Sequence, residues 1–259
     1  MDTAARGIAA YDLPGRVAAY DADMDLMHPN RARMVEVALE VLPFQRDAEL
    51  RAIDLGTGTG FLARRFLERF PAATLSAVDG AAAMLDLARG RLGPLASRVE
   101  LVVGDFRRLD ELGLPPEADV VLSSFALHHL TADEKRRLLR EVASRLTAGG
   151  WFVNADLVVS ESAELESRIQ ALRVEGILLR AAGRDPRFVD VSATRAWLEQ
   201  MEAAEGDQPL TLASDLGLAR EAGLHAEVLW KEHREVVWGG PGARLSPLRL
   251  PEVPCEDDI

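Results

Sequence analysis

The chain has 259 residues, of which 48% are hydrophobic and 28% charged, so it can bury a sizeable core as one elaborate domain or two small ones. Its 30 basic and 42 acidic residues give a net charge of −12, which disfavours nonspecific binding to nucleic acids or to anionic membranes. The single cysteine, Cys255, excludes a disulfide framework or a cysteine-based zinc site within one chain. Met1–Tyr20 lacks a basic region followed by an apolar run, and we find no bilayer-length apolar stretch, so we expect a cytoplasmic protein.

Residues 1–45 precede the first strand and are predicted to form a helical flap. Apolar residues recur at helical spacing in Asn30–Leu42, which can therefore pack on the sheet. Tyr11, Tyr20 and His28 lie before this helix and are candidates to cover one edge of the sheet. The alternative is that they take part only in ordinary helix packing.

Short apolar runs then alternate with segments of helical period, which predicts a parallel sheet covered by helices on both faces. The predicted strands are Arg51–Gly56, Thr74–Asp79, Val99–Gly104, Ala118–Ser123 and Trp151–Asp156. The predicted helices between them are Phe61–Phe70, Ala82–Leu92 and Ala132–Leu146. Thr131 and Glu134 have the spacing of a capping box at the start of the last helix, and Gly149-Gly150 is predicted to stop it and to turn the chain.

After Asp156 the alternation stops. Ser160–Ala182 and Ser192–Ala204 are predicted helices with no strand between them, followed by the helix Leu212–Ala222. Ala226–Trp230 and Arg234–Trp238 then predict a hairpin, so the final strand must be antiparallel. The predicted organisation is a flap over 1–45, one sheet domain over 46–240 with a helical insertion at about 160–208, and a tail over 241–259.

A glycine loop, Ile53–Gly60, closes the first strand and opens a helix. Its spacing is Gly-x-Gly-x-Gly, preceded by Asp54, whereas dinucleotide enzymes need Gly-x-Gly-x-x-Gly before a helix that faces a pyrophosphate. A carboxylate in the loop repels a pyrophosphate and suits a cationic ligand. The loop therefore argues against a nicotinamide-dependent oxidoreductase.

Acidic residues end three successive strands at the same edge of the predicted sheet. Asp79 stands where a carboxylate can accept hydrogen bonds from a ribose. Asp105 and Phe106 together could flank a purine. Each acid alone is typical of a turn, but their register with the glycine loop predicts a nucleoside site beside Asp54.

The runs AIDLGTGTG, AVDGAAAMLDLAR, VVGDFRRL, DVVLSSFALHHL and LTAGGWFVNAD, in this order and spacing, resemble the class I S-adenosylmethionine-dependent methyltransferases. The resemblance covers about residues 35–160 and residues 210–240. It implies an α/β fold with a Rossmann-like, doubly wound sheet of seven strands, mostly parallel with the last antiparallel. It also implies S-adenosyl-L-methionine as the cofactor and transfer of a methyl group to a small-molecule acceptor.

The same resemblance assigns cofactor contacts to residues of the matching motifs. Contacts to the methionine part are implied for Gly56, Thr57 and Gly58, and for Ser123 or Ser124 at the end of the fourth strand. Asp54 is also a candidate cofactor contact, because its carboxylate suits a cationic ligand. Contacts to the ribose and adenine are implied for Asp79, Gly80, Met84, Asp105 and Phe106.

His128 and His129 follow the fourth strand, beside the expected methyl group. Methyl transfer needs a base only if the acceptor starts protonated. His129 matches the histidine that deprotonates the acceptor in phosphoethanolamine-type relatives and is the preferred catalytic candidate, with His128 second. The alternative is that both side chains only pack and hydrogen-bond between strand and helix.

Candidate substrate contacts are Tyr20, Asp156 and Arg195, and no metal site is expected. Arg195 is singled out because SATRAWLEQM resembles the carboxy-S-adenosylmethionine synthases, in which a matching arginine contacts the cofactor carboxylate. Arg31 stands where that group has a tyrosine, which disfavours this alternative. A further alternative is a noncatalytic S-adenosylmethionine-binding protein. The apolar residues of the insertion could form lid core or the face of a homodimer.

Overall fold

The computed structural model describes residues 11, 14–181 and 183–243. These residues form one seven-stranded sheet in the order β3-β2-β1-β4-β5-β7-β6. The strands are β1 Arg51–Leu55, β2 Thr74–Asp79, β3 Val99–Val103, β4 Ala118–Ser124, β5 Leu146–Leu157, β6 Glu227–Glu232 and β7 Glu235–Pro241. Strands β1 to β5 pair in parallel, whereas β7 lies antiparallel between β5 and β6, so the predicted fold class is confirmed.

Eight α-helices in the described residues cover this sheet. They are α1 Pro14–Met27, α2 Arg31–Glu40, α3 Phe61–Arg69, α4 Ala82–Leu92, α5 Ala132–Arg145, α6 Ala163–Ala181, α7 Val191–Glu205 and α8 Leu212–Glu221. One apolar cluster fills the face under α2, α3 and α4, and a second fills the face under α5 and α8. The predicted helix Ala82–Leu92 has the bounds that the structure gives to α4.

Helix α5 begins with the capping box that the sequence predicts. The Thr131 hydroxyl accepts a hydrogen bond from the Glu134 N–H, and the Glu134 carboxylate accepts one from the Thr131 N–H, at 3.3 and 2.9 Å. Two N–H groups that lack partners within the helix are thereby satisfied.

The predicted start of the fifth strand is wrong. Strand β5 begins at Leu146 and includes Gly149-Gly150, which we expected to form a turn before Trp151. Gly149 adopts φ +83, and the register with β4 shifts where Leu146 pairs with Ala118 and Trp151 with Val120. A glycine in this conformation absorbs the irregularity without ending the pairing.

The strand order places the candidate site. Strand β1 has β2 on one side and β4 on the other, so successive connections leave it in opposite directions. In open α/β sheets, ligands bind outside the carboxyl ends of the strands at such a point. Hence the residues after β1, β2, β3 and β4 lie around one crevice.

Helix α1 of the flap packs against the insertion helices. Met27 joins Ile177, Phe188 and Leu198 in a third apolar cluster. Asp23 on α1 accepts hydrogen bonds from Arg187 at 2.6 and 3.1 Å. The flap and the insertion therefore form one cover over the crevice.

None of the helices in the described ranges is both long and apolar enough to cross a membrane. Residues 244–259, most of the predicted tail, lie outside the described residues, as do residues 1–10, 12 and 13 of the flap.

Candidate active site

The glycine loop after β1 approaches its neighbours too closely for side chains. Gly56 adopts φ +72, and a Cβ added there would lie 2.4 Å from Cβ of Ala126. The N–H of Gly58 donates to Oδ2 of Asp79 at 2.8 Å, and the N–H of Ala81 donates to Oδ1 at 2.9 Å. The Asp79 carboxylate is therefore fixed between the loop and the start of α4.

A cavity of about 1050 Å³, part of it open to solvent, lies against this loop. It brings together eight residues predicted to bind cofactor or substrate: Tyr20, Gly56, Gly58, Asp79, Gly80, Met84, Asp105 and Phe106. His129 lines the same cavity, with Tyr11, Phe125, Glu205 and Gln208 around it. Phe125 has φ +51, a conformation that nonglycine residues seldom adopt outside sites where the surroundings impose it.

Asp54 lies behind the loop and is fully buried. Its Oδ2 accepts a hydrogen bond from the Thr57 hydroxyl at 2.7 Å, while its Oδ1 has no hydrogen-bond partner among the described residues. Burial raises the pKa of Asp54 to about 7. The hydrogen bond from Thr57 acts in the opposite direction, whereas the negative charge of the nearby Asp79 raises the pKa further. Such a carboxyl is suited to receive a cation.

A smaller crevice continues from the cavity at Gly56 and Gly58 and reaches Asp54. Arg31 lines it from α2, and its guanidinium lies 4.2 Å from the ring centre of Phe61. The crevice thus offers a carboxyl group and a guanidinium within one narrow space. Thr57 and Ser124 also line it.

Ser123 has a structural contact instead. It is buried, and its hydroxyl donates to the carbonyl oxygen of Leu55 at 3.0 Å, which ties β4 to β1. It lines neither the cavity nor the smaller crevice.

At the other end of the cavity, Arg107 holds the Asp105 carboxylate. Its Nε donates to Asp105 Oδ1 at 2.8 Å and its Nη2 donates to Oδ2 at 2.5 Å. Burial alone would raise the pKa of Asp105, but these hydrogen bonds and the guanidinium charge outweigh it and lower the pKa. Arg107 also donates to Glu134 at 3.2 Å, and neither residue was predicted from the sequence to line the cavity.

His128 is buried beside the end of β5. Its Nδ1 lies 2.5 Å from Oδ1 of Asp156, and its backbone N–H donates to Oδ2 at 3.0 Å. Burial disfavours the imidazolium, but the carboxylates of Asp156 and Asp207 outweigh it and raise the pKa of His128 to about 10. His128 is therefore a cation at neutral pH. Asp156, predicted to contact substrate, is fully buried and does not line the cavity.

His129 faces the cavity between two polar groups. Its Nδ1 lies 3.0 Å from Oδ1 of Asp207, and its Nε2 lies 3.3 Å from the Tyr11 hydroxyl. Burial raises the pKa of Tyr11 well above its usual value, and the nearby Glu205 adds to the shift, so this hydroxyl stays protonated. The Asp207 pKa is held far below its usual range, because the two histidines outweigh the effect of burial.

Sequence reasoning missed Asp207. It comes from the insertion, where one acidic residue after a helix resembles many others. Donor atoms of His128, His129 and Asp207 lie within 4.8 Å of one another, a spacing at which a cation could be shared. Ion pairs also account for this cluster: His128 pairs with Asp156, and Asp207 lies against both histidines.

Arg195 lies on the exposed side of α7 and lines neither the cavity nor the smaller crevice. On the same helix, the buried residues are Thr194, Leu198 and Glu205. The structure therefore does not bring Arg195 together with the other predicted substrate residues.

A sheet with an antiparallel β7, a glycine loop after β1 and acidic residues after β2 and β3 defines the class of S-adenosylmethionine-dependent methyltransferases. A family described as "Methyltransferase domain" matches residues 52–150. YrrT, an uncharacterized methyltransferase of Bacillus subtilis (strain 168), is 30% identical over 162 residues, which cover 62% of this chain and 71% of YrrT. The chain belongs to this methyltransferase family, which uses S-adenosylmethionine.

Solved structures agree with the fold. An O-methyltransferase family protein from Burkholderia thailandensis superimposes with a TM-score of 0.62 at 22% identity, over 90% of this chain and 60% of that one. CalO1, a methyltransferase in calicheamicin biosynthesis solved with S-adenosylhomocysteine bound, gives a TM-score of 0.52 at 21% identity, over 82% of this chain and 54% of CalO1. The chain thus spans little more than half the length of these two proteins.

Proposed function

We propose that this protein transfers the methyl group of S-adenosylmethionine to a small-molecule acceptor and that His129 takes the acceptor's proton. The observation that carries the proposal is the shared cavity. One space is lined by Asp79 and Asp105, which suit a nucleoside, and by a histidine that faces a tyrosine hydroxyl.

The residues around the cavity suit an adenosine. The Asp79 carboxylate, held by the backbone N–H groups of Gly58 and Ala81, lines the cavity where it would meet the ribose hydroxyls. Met84 and Phe106 offer apolar surface to the adenine, with Gly80 allowing close approach and Asp105 accepting from its amino group. Gly56 fits the same ligand, because a side chain there would collide with Ala126.

The smaller crevice suits the amino-acid end of the cofactor. Asp54 has a buried Oδ1 without a hydrogen-bond partner in the described residues, which an ammonium would satisfy. Arg31 can pair with the carboxylate, and Thr57, Gly58 and Ser124 supply the remaining walls. For Ser123, a direct contact has no support beyond the family resemblance.

When bound, the cofactor supplies a methyl group on a sulfonium whose leaving group is a neutral thioether. The protein then has to align the acceptor and exclude water. Tyr11, Tyr20 and Phe125 line the cavity together with His129. Their aromatic surface suits an acceptor with an apolar body.

His129 is a better base than His128. His128 already carries a proton that its two carboxylates hold, with a pKa of about 10, so it cannot accept another. His129 faces the cavity through Nε2, where a hydroxyl already contacts it. Asp156 supports His128 from behind, and a substrate contact by Asp156 or Arg195 remains a prediction, as do the cytoplasmic location and the homodimer.

The test compares His129→Ala with His225→Asn, a change at an exposed histidine outside the site. Methyl transfer is measured against a panel of small hydroxyl, amine and thiol acceptors. We expect kcat to fall by about 10²- to 10⁴-fold in His129→Ala, with S-adenosylhomocysteine affinity unchanged, and to be normal in the control. Equal kcat values for His129→Ala and the wild type would remove His129 from the mechanism. Copurification of a carboxylated sulfonium would instead favour a function like that of the carboxy-S-adenosylmethionine synthases.

A further inference from the structure

We propose that Asp207 is the positioning residue of His129: it keeps the proton of the neutral imidazole on Nδ1 and leaves the Nε2 lone pair for the acceptor. This inference rests on the proposed function, because it concerns how the same base is oriented. Nothing in the family match covers Asp207, which lies beyond residues 52–150.

The geometry around His129 carries the inference. Oδ1 of Asp207 and Nδ1 of His129 are 3.0 Å apart, and neither atom has a hydrogen-bond partner elsewhere in the described residues. A carboxylate oxygen can only accept, so the favourable state places the ring proton on Nδ1. The two atoms are in contact without an aligned hydrogen bond, and such bonds often tighten only when substrates bind.

The contact on the opposite side of the His129 ring also favours a proton on Nδ1. Nε2 lies 3.3 Å from the Tyr11 hydroxyl, which stays protonated and can donate. A donor at Nε2 requires a lone pair there, which is the lone pair that an acceptor O–H or N–H would use. The Tyr11 hydroxyl thus occupies the direction from which the acceptor's proton would arrive.

His128 supplies the second half of the arrangement. Its imidazolium is fixed by Asp156 through Nδ1, and its Nε2 lies 3.6 Å from the Asp207 oxygen. Asp207 is therefore held between the imidazolium of His128 and the ring of His129. In the reaction, the acceptor's proton passes to Nε2 of His129, the acceptor atom forms a bond to the methyl carbon, and the C–S electron pair leaves with sulfur. Asp207 then faces the new imidazolium and stabilises it.

The segment that carries Asp207 also connects the base to the flap. Glu205, at the end of α7, forms an ion pair with Arg16 on α1. The Gln208 N–H donates to the carbonyl oxygen of His128 at 2.7 Å, and its side chain donates to that of His129 at 3.3 Å. Docking of the insertion therefore brings the orienting carboxylate to the base and joins it to the flap at the same time.

The direct test is the tautomer of His129 in the full chain saturated with S-adenosylhomocysteine. Nitrogen NMR of protein labelled with ¹⁵N-histidine distinguishes a ring protonated on Nδ1 from one protonated on Nε2, and the His129→Gln spectrum assigns the signals. We expect the Nδ1–H form in the wild type and in Glu199→Gln, an exposed control on α7, and loss of that form in Asp207→Asn. An Nε2–H form in the wild type, or an unchanged tautomer in Asp207→Asn, would overturn the inference.

Kinetic measurements and a metal test distinguish this positioning role from a structural role or a metal site. Asp207→Asn should lower kcat by about 10²-fold or more with KM for S-adenosylmethionine unchanged, and Asp207→Glu should recover part of the loss. A merely structural Asp207 would change stability or KM instead. If chelation removed activity, or Zn²⁺ shifted the signals of both histidines, the cluster would be a metal site and the positioning role would be wrong. The NMR result does not depend on methyl transfer, so it can fail while the proposed function stands.

Discussion

Asp54→Asn removes a buried carboxyl whose pKa is raised to about 7 in the ligand-free protein. Between the unfolded value of 3.8 and this folded value, the native state holds more protons at this site than the unfolded chain does. The contribution of Asp54 to the free energy of unfolding is therefore present at low pH and is lost as the pH rises through that window. An asparagine does not titrate, so the difference between the two proteins isolates this group.

The shift of about 3 pKa units corresponds to about 4 kcal/mol, at about 1.4 kcal/mol for each unit. About half of this loss of stability falls between about pH 5.5 and pH 8.5, a range in which the protein is more soluble than near its pI. Relative to the wild type, Asp54→Asn should therefore become more stable by about 2 kcal/mol over that range. The hydrogen bond from Thr57 can persist, because the amide oxygen also accepts.

Urea unfolding of both proteins without cofactor, at several pH values, measures this difference. A difference that stays constant with pH would show that Asp54 is not a raised, buried carboxyl. Binding of S-adenosylhomocysteine provides a second measurement. If the ammonium of this ligand meets Asp54, the wild type releases a proton on binding near pH 7, so the heat of binding depends on the buffer. Asp54→Asn should release no proton at this site, and its heat of binding should not depend on the buffer.

Two further substitutions test the loop and the core. Gly56→Ala should lower stability by about 1–3 kcal/mol and abolish S-adenosylhomocysteine binding, because the new Cβ would lie 2.4 Å from Cβ of Ala126 at a positive φ. Thermal unfolding and calorimetric titration check this, with Gly90→Ala as the control in open space; equal binding by the two variants would contradict it. Lys135→Met should cost about 3–5 kcal/mol, because it leaves Asp215 charged and fully buried after loss of a 2.7 Å ion pair. The double variant with Asp215→Leu should recover most of the loss in urea unfolding, and a double variant as unstable as Lys135→Met would refute the charge argument.

The sequence was sufficient for the fold where local chemistry and periodicity agree. Thr131 and Glu134 start α5 as predicted, and the apolar period of Ala82–Leu92 gives α4 its bounds. The start of β5 was mispredicted because two adjacent glycines are typical of a turn. In the folded sheet, Gly149 supports an irregularity in a strand that continues through it.

The acidic lining of the cavity was predictable because strand ends share one edge. Asp79 and Asp105 need only the strand register to come together, and they line the cavity. Asp207 depends on how an insertion of two helices docks, which no local spacing encodes. Arg195 was selected from a motif match, which does not say which side of a helix faces the cavity, and it lies on the exposed side of α7.

Transfer of an isotopically labelled methyl group tests the central claim most directly. The full chain is incubated with S-adenosylmethionine that carries a deuterated methyl group and with the acceptor panel, and the products are analysed by mass spectrometry. We predict an acceptor heavier by one deuterated methyl group, together with S-adenosylhomocysteine, and we predict neither product from Asp79→Ala. Binding of the cofactor without any labelled product across acceptors that fit the cavity would contradict methyl transfer and would favour a binding protein without catalysis.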